Sequence, residues 1–280
     1  MPKKIGKPQY RAARRPHPGR TTGTTVSSPC CVGIDIGSHR SRLCLSANGS
    51  EIIVENKHQH NLDNSYPGDF PSSLYVFDDD DNDSAGNDRS AHAGVLYSVE
   101  RDYPERLSVS AKYVFYALAD ASDTLLLQYP LVRDIVDRKH DPKFKARLRN
   151  AMVALLSVLR ERAMPIILNK NWHIAKVGLT IPVQWTLEFE DVYRDLVSEV
   201  FEVNPNIIYF FTETEALARY LFKHHASEMD PNEEYNAIMF IDFGGHNMNG
   251  CVFGVARDPE NPECNSFYRV GRAFGEDNLT

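Results

Sequence analysis

Cys31-Val32-Gly33-Ile34-Asp35-Ile36-Gly37-Ser38 and Ala237-Ile238-Met239-Phe240-Ile241-Asp242-Phe243-Gly244-Gly245 follow one plan at two distant places in the chain. Each is an apolar run, a lone Asp, one more apolar residue and a Gly. A second, partly apolar run follows each: Leu43 to Ala47 after the first, Cys251 to Ala256 after the second. The pattern predicts strand, tight turn, strand, with one carboxylate at each turn. Glycine lets a turn backbone approach a ligand closely and aim its N–H groups at an anion. An Asp beside that cradle suits Mg²⁺, which prefers oxygen ligands and keeps several waters. Two such turns facing each other form a clamp for a metal–nucleotide. The plainer alternative is a turn Asp that caps its own backbone.

Outward from the first segment, strands are expected at 31–37, 42–47 and 51–56, with turns at Gly37-Ser38 and Asn48-Gly49. A polar stretch, Lys57 to Asp69, precedes a short strand at 73–77. The run Asp78-Asp79-Asp80-Asp81-Asn82-Asp83 reads as a self-repelling solvated loop. It lacks the Gly and terminal Glu of a calcium loop. Phe144, Leu148, Met152, Leu155, Leu156, Leu159 and Ala163 recur at helical spacing, predicting a helix over 143–164 ended by Pro165. A buried strand at 173–181, helices at 187–202 and 213–226, and a strand at 207–211 follow. A polar break at 227–234 precedes the second hairpin, which opens at Tyr235. This is a mixed α/β order. In such sheets ligands lie in the crevice at the strand ends, where Asp35 and Asp242 fall.

The chain has 280 residues, 42% hydrophobic and 25% charged, enough for one large domain or two lobes. Its net charge of −7 is uneven. Residues 1–30 hold seven basic residues and no acid, and their Pro, Gly and Thr content predicts a disordered basic tail. A mitochondrial presequence is the alternative for the tail, opposed by its prolines and glycines. The remainder carries a net −14, which argues against nucleic acid as the main partner. No run reaches the length needed to span a bilayer. The five cysteines show no CxxC pair or metal-ligand spacing, and are expected to be reduced, mostly buried thiols in a cytoplasmic protein, with nuclear and mitochondrial addresses open.

Together these segments resemble the ATPase region of the seventy-kilodalton heat-shock chaperone family, within the actin, sugar kinase and heat-shock ATPase superfamily. Val32 to Ser38 is similar to that family's first phosphate loop, and Phe70-Pro71-Ser72-Ser73-Leu74-Tyr75-Val76-Phe77 to its early Pro-Ser strand. Ser110-Ala111-Lys112 resembles the segment with its catalytic lysine, and Val177 to Pro182 its proline-ended strand. Thr212-Glu213-Thr214-Glu215-Ala216-Leu217-Ala218 resembles the helix start that carries a Glu. Ile241 to Gly245 resembles the second phosphate loop, and Phe274-Gly275-Glu276-Asp277 the segment beyond it. The segments occur in the family's order from about residue 31 to the last.

The resemblance implies an actin-like ATPase (ribonuclease H-like) fold. Residues 31–230 form the first lobe, with an inserted subdomain at 57–140 whose acidic loop is 78–90, and residues 231–280 begin a second lobe. It implies ATP or ADP with Mg²⁺ as cofactors, and unfolded polypeptides or co-chaperones as partners. Asp35 and Asp242 would hold the metal through water. Gly33, Gly37, Ser38, His39, Gly244, Gly245 and His246 would line the phosphates. Lys112, Glu213 and Asp242 would be catalytic: the lysine on the γ-phosphate or the attacking water, the glutamate positioning water or metal. For Lys112 the plain alternative is a solvated surface lysine, for Glu213 a first-turn acid favoured by the helix dipole, for Ser38 a turn former.

The sequence departs from the family's pattern in three places. His39-Arg40 follows Ser38 where hydroxyl residues are usual. His246-Asn247-Met248-Asn249 replaces a Gly-Thr-x-Asp run, removing a carboxylate. The family's adenosine-binding Gly-Gly segment would lie beyond Thr280. A relative that no longer hydrolyses nucleotide and acts as a binding module is therefore the alternative, and a sugar-kinase-type phosphotransferase a further one.

Overall fold

The computed structural model describes residues 26–56, 66–77, 95–99, 107–122, 132–225, 235–245, 248–256 and 264–272. Residues 1–25 of the expected basic tail, the acidic run and the Phe274 to Asp277 segment lie outside them, as do His246 and the polar break at 227–234. The end of the expected tail is instead ordered: Ser28 to Cys30 open the first strand, with Cys30 buried.

Strand β1 (Ser28–Ile36) is the axis of the larger sheet. Its alternate residues Cys30, Val32, Ile34 and Ile36 are buried, the period-2 pattern of a strand with one face on the core. It pairs antiparallel with β2 (Arg40–Ala47), which continues into β3 (Ser50–Ile53). Both expected turns form. Asn48 and Gly49 both take positive φ, 52° and 76°, as a two-residue hairpin with right-handed strands requires. At the other turn the Gly37 N–H donates to the Arg40 carbonyl at 3.0 Å. A Cβ on Gly37 would lie 2.4 Å from that oxygen, so only glycine fits.

On its other edge β1 pairs in parallel with β7 (Trp172–Ile181), and β7 with β8 (Ile208–Thr212). The order is β3-β2-β1-β7-β8, with β4 (Phe70–Pro71) also on β2. The mixture follows from the connections. Short turns join β1, β2 and β3, whereas parallel strands need helical crossovers. The expected 73–77 strand is shorter, β5 (Ser73–Leu74), and pairs with β6 (Val109–Ser110). Tyr75 instead donates its N–H to Leu96.

Helices cover one face of this sheet. They are α1 (Ala111–Leu118), the single turn α2 (Arg133–Val136), α3 (Pro142–Asn169) and α4 (Leu187–Phe201). Helix α3 carries every apolar residue of the expected stripe into the core. Asp141 caps it by accepting from the Lys143 N–H at 2.9 Å, and Pro142 occupies its first turn. Contrary to expectation, Pro165 does not end it. Burying Ile167 beyond the proline is worth about 1.5–3 kcal/mol, comparable to the roughly 3 kcal/mol that a mid-helix proline costs, and the last turn closes with Lys170 donating to Ile166. Helix α1 has no counterpart among the expected elements.

From β8 the chain passes without a linker into α5 (Glu213–His225). That helix packs on a second sheet of β9 (Tyr235–Phe243), β10 (Met248–Ala256) and β11 (Cys264–Arg272), in the order β11-β10-β9. Ala218 and Phe222 of the helix meet Phe240, Cys251 and Phe253 in a separate small core. The far end of α5 returns to the first sheet, where Lys223 pairs with Glu51 of β3 and His224 Nε2 lies 3.6 Å from the same carboxylate. Met239, Ile241 and Phe243 are exposed on the opposite face of β9.

The thiols divide. Cys30 and Cys251 are buried as expected, but Cys31 and Cys44 are exposed, since strand alternation puts both on the face of the first sheet that α1, α3 and α4 do not cover. Among the described residues no helix is long and apolar enough to cross a membrane.

Pro165 is exposed and leaves the Glu161 carbonyl without its helical donor. Replacing it with Ala restores that donor without touching the core. Pro165→Ala is expected to raise stability by about 1–3 kcal/mol, read as a higher urea midpoint at unchanged m-value.

Candidate active site

Alternation along β1 places Asp35 on the same uncovered face as Cys31 and Gly33. The parallel register sets Ile34 against Leu179, so Thr180 of β7 comes beside it. Thr180 Oγ1 donates to Asp35 Oδ1 at 2.5 Å. One rung further, Ile181 pairs with Thr212, the residue before Glu213. The sheet therefore delivers Asp35, Thr180 and Glu213 to one end.

Helix α1 brings a cation to the same end. Ser110 caps the helix by accepting from the Lys112 N–H at 3.3 Å. Its hydroxyl also donates to the Ser38 carbonyl at 2.7 Å, tying the helix start to the first turn. Lys112 is only 4% exposed, and its Nζ donates to Glu213 Oε1 at 2.5 Å. It is no solvated surface lysine, and Glu213 is more than a first-turn acid.

The second sheet closes the cluster. Asp242 of β9 and Asn249 of β10 face each other in register. Asn249 Nδ2 donates to Glu213 Oε2 at 2.5 Å, and Asp242 shares a side-chain hydrogen bond with Glu213. Glu213 thus accepts from Lys112 on one oxygen and from Asn249 on the other. Both Asp residues lie within strands, one residue before the last, rather than in the turns. Asp35 does not cap its own turn; its partner comes from β7.

The charges explain the carboxyl behaviour. Three carboxyls share one ammonium in a site that water reaches poorly. Burial, then the charge of Glu213, pushes Asp242 up to about 6, against the pull of Lys112 and the Asn249 amide. Burial and Glu213 likewise raise Asp35, opposed by the Thr180 hydroxyl, Lys112 and Arg42. Carboxyls this close to one another favour the uptake of positive charge, as a proton or as a cation.

The residues fit a hydrated divalent cation. Asp35 and Asp242 supply hard oxygen donors, and Asn249 Oδ1 is buried with no hydrogen-bond partner. An acceptor left in that state marks a place for a donor such as a bound water. Among the described residues no three His, Cys, Asp or Glu side chains converge at direct ligand distance. A cation here would reach the carboxylates through water. Of the phosphate-lining candidates, Gly37, Ser38 and His39 form the first turn, and Gly244 and Gly245 follow β9. Gly33 stands apart in mid-strand, with its side-chain space taken by Cys44 Sγ.

Nothing in the sequence motifs marks Thr180, Asn249 as a donor, or the Arg42–Asp69 pair at 2.7 Å beside the first turn as site residues. The Thr at the penultimate position of the 173–181 strand was the available signal for Thr180. No family model matches the chain, and no curated protein matches it.

Two predictions follow from this geometry. Lys112→Met strands Glu213 in a buried site and is expected to cost about 3–5 kcal/mol. The double variant Lys112→Met/Glu213→Leu is expected to recover most of it, measured by urea unfolding. For Asp242, the folded-state value lies above the usual range, so its contribution is complete at acid pH and is lost as pH rises from about 4 through about 6. The metal-free protein should show a falling melting temperature across that window, and Asp242→Asn should flatten this part of the profile.

Proposed function

We propose that the chain is a nucleotide-binding core of the actin and heat-shock ATPase type, which binds ATP with Mg²⁺ and hydrolyses it to drive a shift between its two sheets. The observation that carries the reading is that Asp35 and Asp242, from two separate Asp-x-Gly hairpins, are each set beside one buried Lys112–Glu213 pair. An Asp selected only for local capping has no reason to share an ion pair with its counterpart from another sheet.

The chemistry asks little covalent work of the protein, because phosphoryl transfer depends mainly on positioning and charge neutralisation. Mg²⁺, when bound, would neutralise phosphate charge and align the leaving group. Lys112 spends one of its three N–H donors on Glu213, leaving two for a phosphate oxygen. Glu213 fixes the direction of that ammonium and of Asn249. Thr180 holds one oxygen of Asp35 and leaves the other for a metal-bound water. Asp242, ionising near neutrality, is the group suited to accept a proton from an attacking water. The N–H groups around Gly37 and Gly244 would receive the phosphates, as backbone nests do.

A binding module without turnover is favoured by one observation. Asn249 stands opposite Asp242, occupying Glu213 with an amide and supplying no second carboxylate. The two readings separate in one experiment on the full chain. Calorimetric titration with Mg·ATP is expected to show binding that disappears without Mg²⁺, with phosphate released catalytically. Asp242→Asn should lower phosphate release by about a hundredfold or more while retaining most of the binding. Binding without release selects the module, and no binding overturns both readings.

A further inference from the structure

Cys31 and Cys44 line one groove, of about 360 Å³, on the uncovered face of the first sheet. Their places follow from the register of β1 against β2, which sets Cys31 opposite Ser46 and Gly33 opposite Cys44. The two thiols are therefore diagonal neighbours on one face, and both residues are exposed. The Cys44 side chain leans across to β1. Its Sγ takes the space that a side chain on Gly33 would need, 2.7 Å from that Cβ position. There it accepts a hydrogen bond from the Gly33 N–H, close enough to Cys31 for the charge of one thiolate to act on the other. Any larger residue at 33 would push the sulfur away.

The spacing decides what can join the two sulfurs. Diagonal partners on antiparallel strands stand about 7–8 Å apart, beyond the roughly 4.4–6.8 Å between Cα atoms that a disulfide accepts. A disulfide also closes its sulfurs to about 2.05 Å. An ion between two thiolates adds two bonds of about 2.3 Å, the zinc–thiolate length, and so joins sulfurs up to about 4.6 Å apart. The number of ligands then selects the ion. Zinc takes three or four protein ligands, and among the described residues no three His, Cys, Asp or Glu side chains converge. Two soft sulfur donors without a third ligand suit Cu(I).

We propose that Cys31 and Cys44 form a two-thiolate site for Cu(I). Binding releases both thiol protons to solvent and adds one positive charge, so the bound pair carries a single negative charge. Two neighbours favour that charge. The Gly33 N–H already points at the Cys44 sulfur, and a hydrogen bond of this kind fixes the direction of a metal ligand. Lys176 lines the same groove, and the irregular register that skips Ala175 sets it on the rung of Cys31. The site takes no group from the Asp35–Asp242 cluster, and its occupancy does not depend on nucleotide binding.

The test titrates Cu(I) into the reduced full chain without oxygen, against the chromophoric competitor bicinchoninate. One Cu(I) per chain is expected, with two sulfur neighbours in its X-ray absorption spectrum. Cys31→Ser and Cys44→Ser should each abolish binding in competition, whereas Cys251→Ala, remote in the second sheet, should leave it unchanged. Bound Cu(I) should also block alkylation of both Cys31 and Cys44 by N-ethylmaleimide, read by peptide mass spectrometry on the parent protein. That readout needs no variant to fold. No binding, parent-like binding in either serine variant, a copper with fewer than two sulfur neighbours, or protection of only one of the two thiols each overturns the proposal.

Discussion

The ion pair between Lys112 and Glu213 is the contact on which the arrangement turns. Each partner is nearly inaccessible to water, so neither can be left alone. An isolated buried charge costs several kcal/mol, whereas the matched pair roughly cancels its own desolvation. That constraint fixes the start of α1 against the start of α5. Because Glu213 follows β8 directly, it also fixes both helices to the end of the larger sheet. The second oxygen of Glu213 then reaches Asn249. One carboxylate thereby links three layers: a helix under the first sheet, the sheet itself, and the second sheet.

The same contact explains why the neighbouring carboxyls behave unusually. With Lys112 already committed to Glu213, Asp35 and Asp242 receive only part of its field. Their remaining stabilisation comes chiefly from neutral donors, Thr180 at Asp35 and Asn249 at Asp242, with a smaller pull from Arg42 on Asp35. A neutral donor lowers a carboxylate less than a cation does, so burial wins at both. The cluster is under-neutralised by construction, which is the condition for taking up an external positive charge.

The legibility of the sequence varied with the length scale of the cause. The strands at β1, β2, β7 and β8 and the helices α3, α4 and α5 announce themselves through local periodicity, because each has one face on the core and one elsewhere. Helix α1 does not. All eight of its residues are buried and it is only about two turns long, so its short apolar run does not distinguish a helix from a buried strand. Pro165 misleads because a local rule about helix ends yields to the burial of Ile167 in the tertiary structure. At the site, the two Asp residues, Lys112 and Glu213 were visible as motifs. Thr180 was not, since its role follows from a parallel pairing between strands far apart in the chain. In the sequence Asn249 stands for a lost carboxylate; in three dimensions it is a donor that holds Glu213.

Helix α5 has a mechanical meaning beyond the contacts at its ends. Its thirteen residues span about 20 Å, and charge anchors it at Glu213 and again at Glu51 on the far strand of the first sheet. Between those anchors its apolar side grips the second sheet through Ala218 and Phe222. A rod pinned at both ends cannot slide along itself or lift at one end without breaking a pin. Both pins leave the axis sideways and so resist rotation as well, which ties the second sheet, carried on the helix's apolar side, to the end and to the far strand of the first.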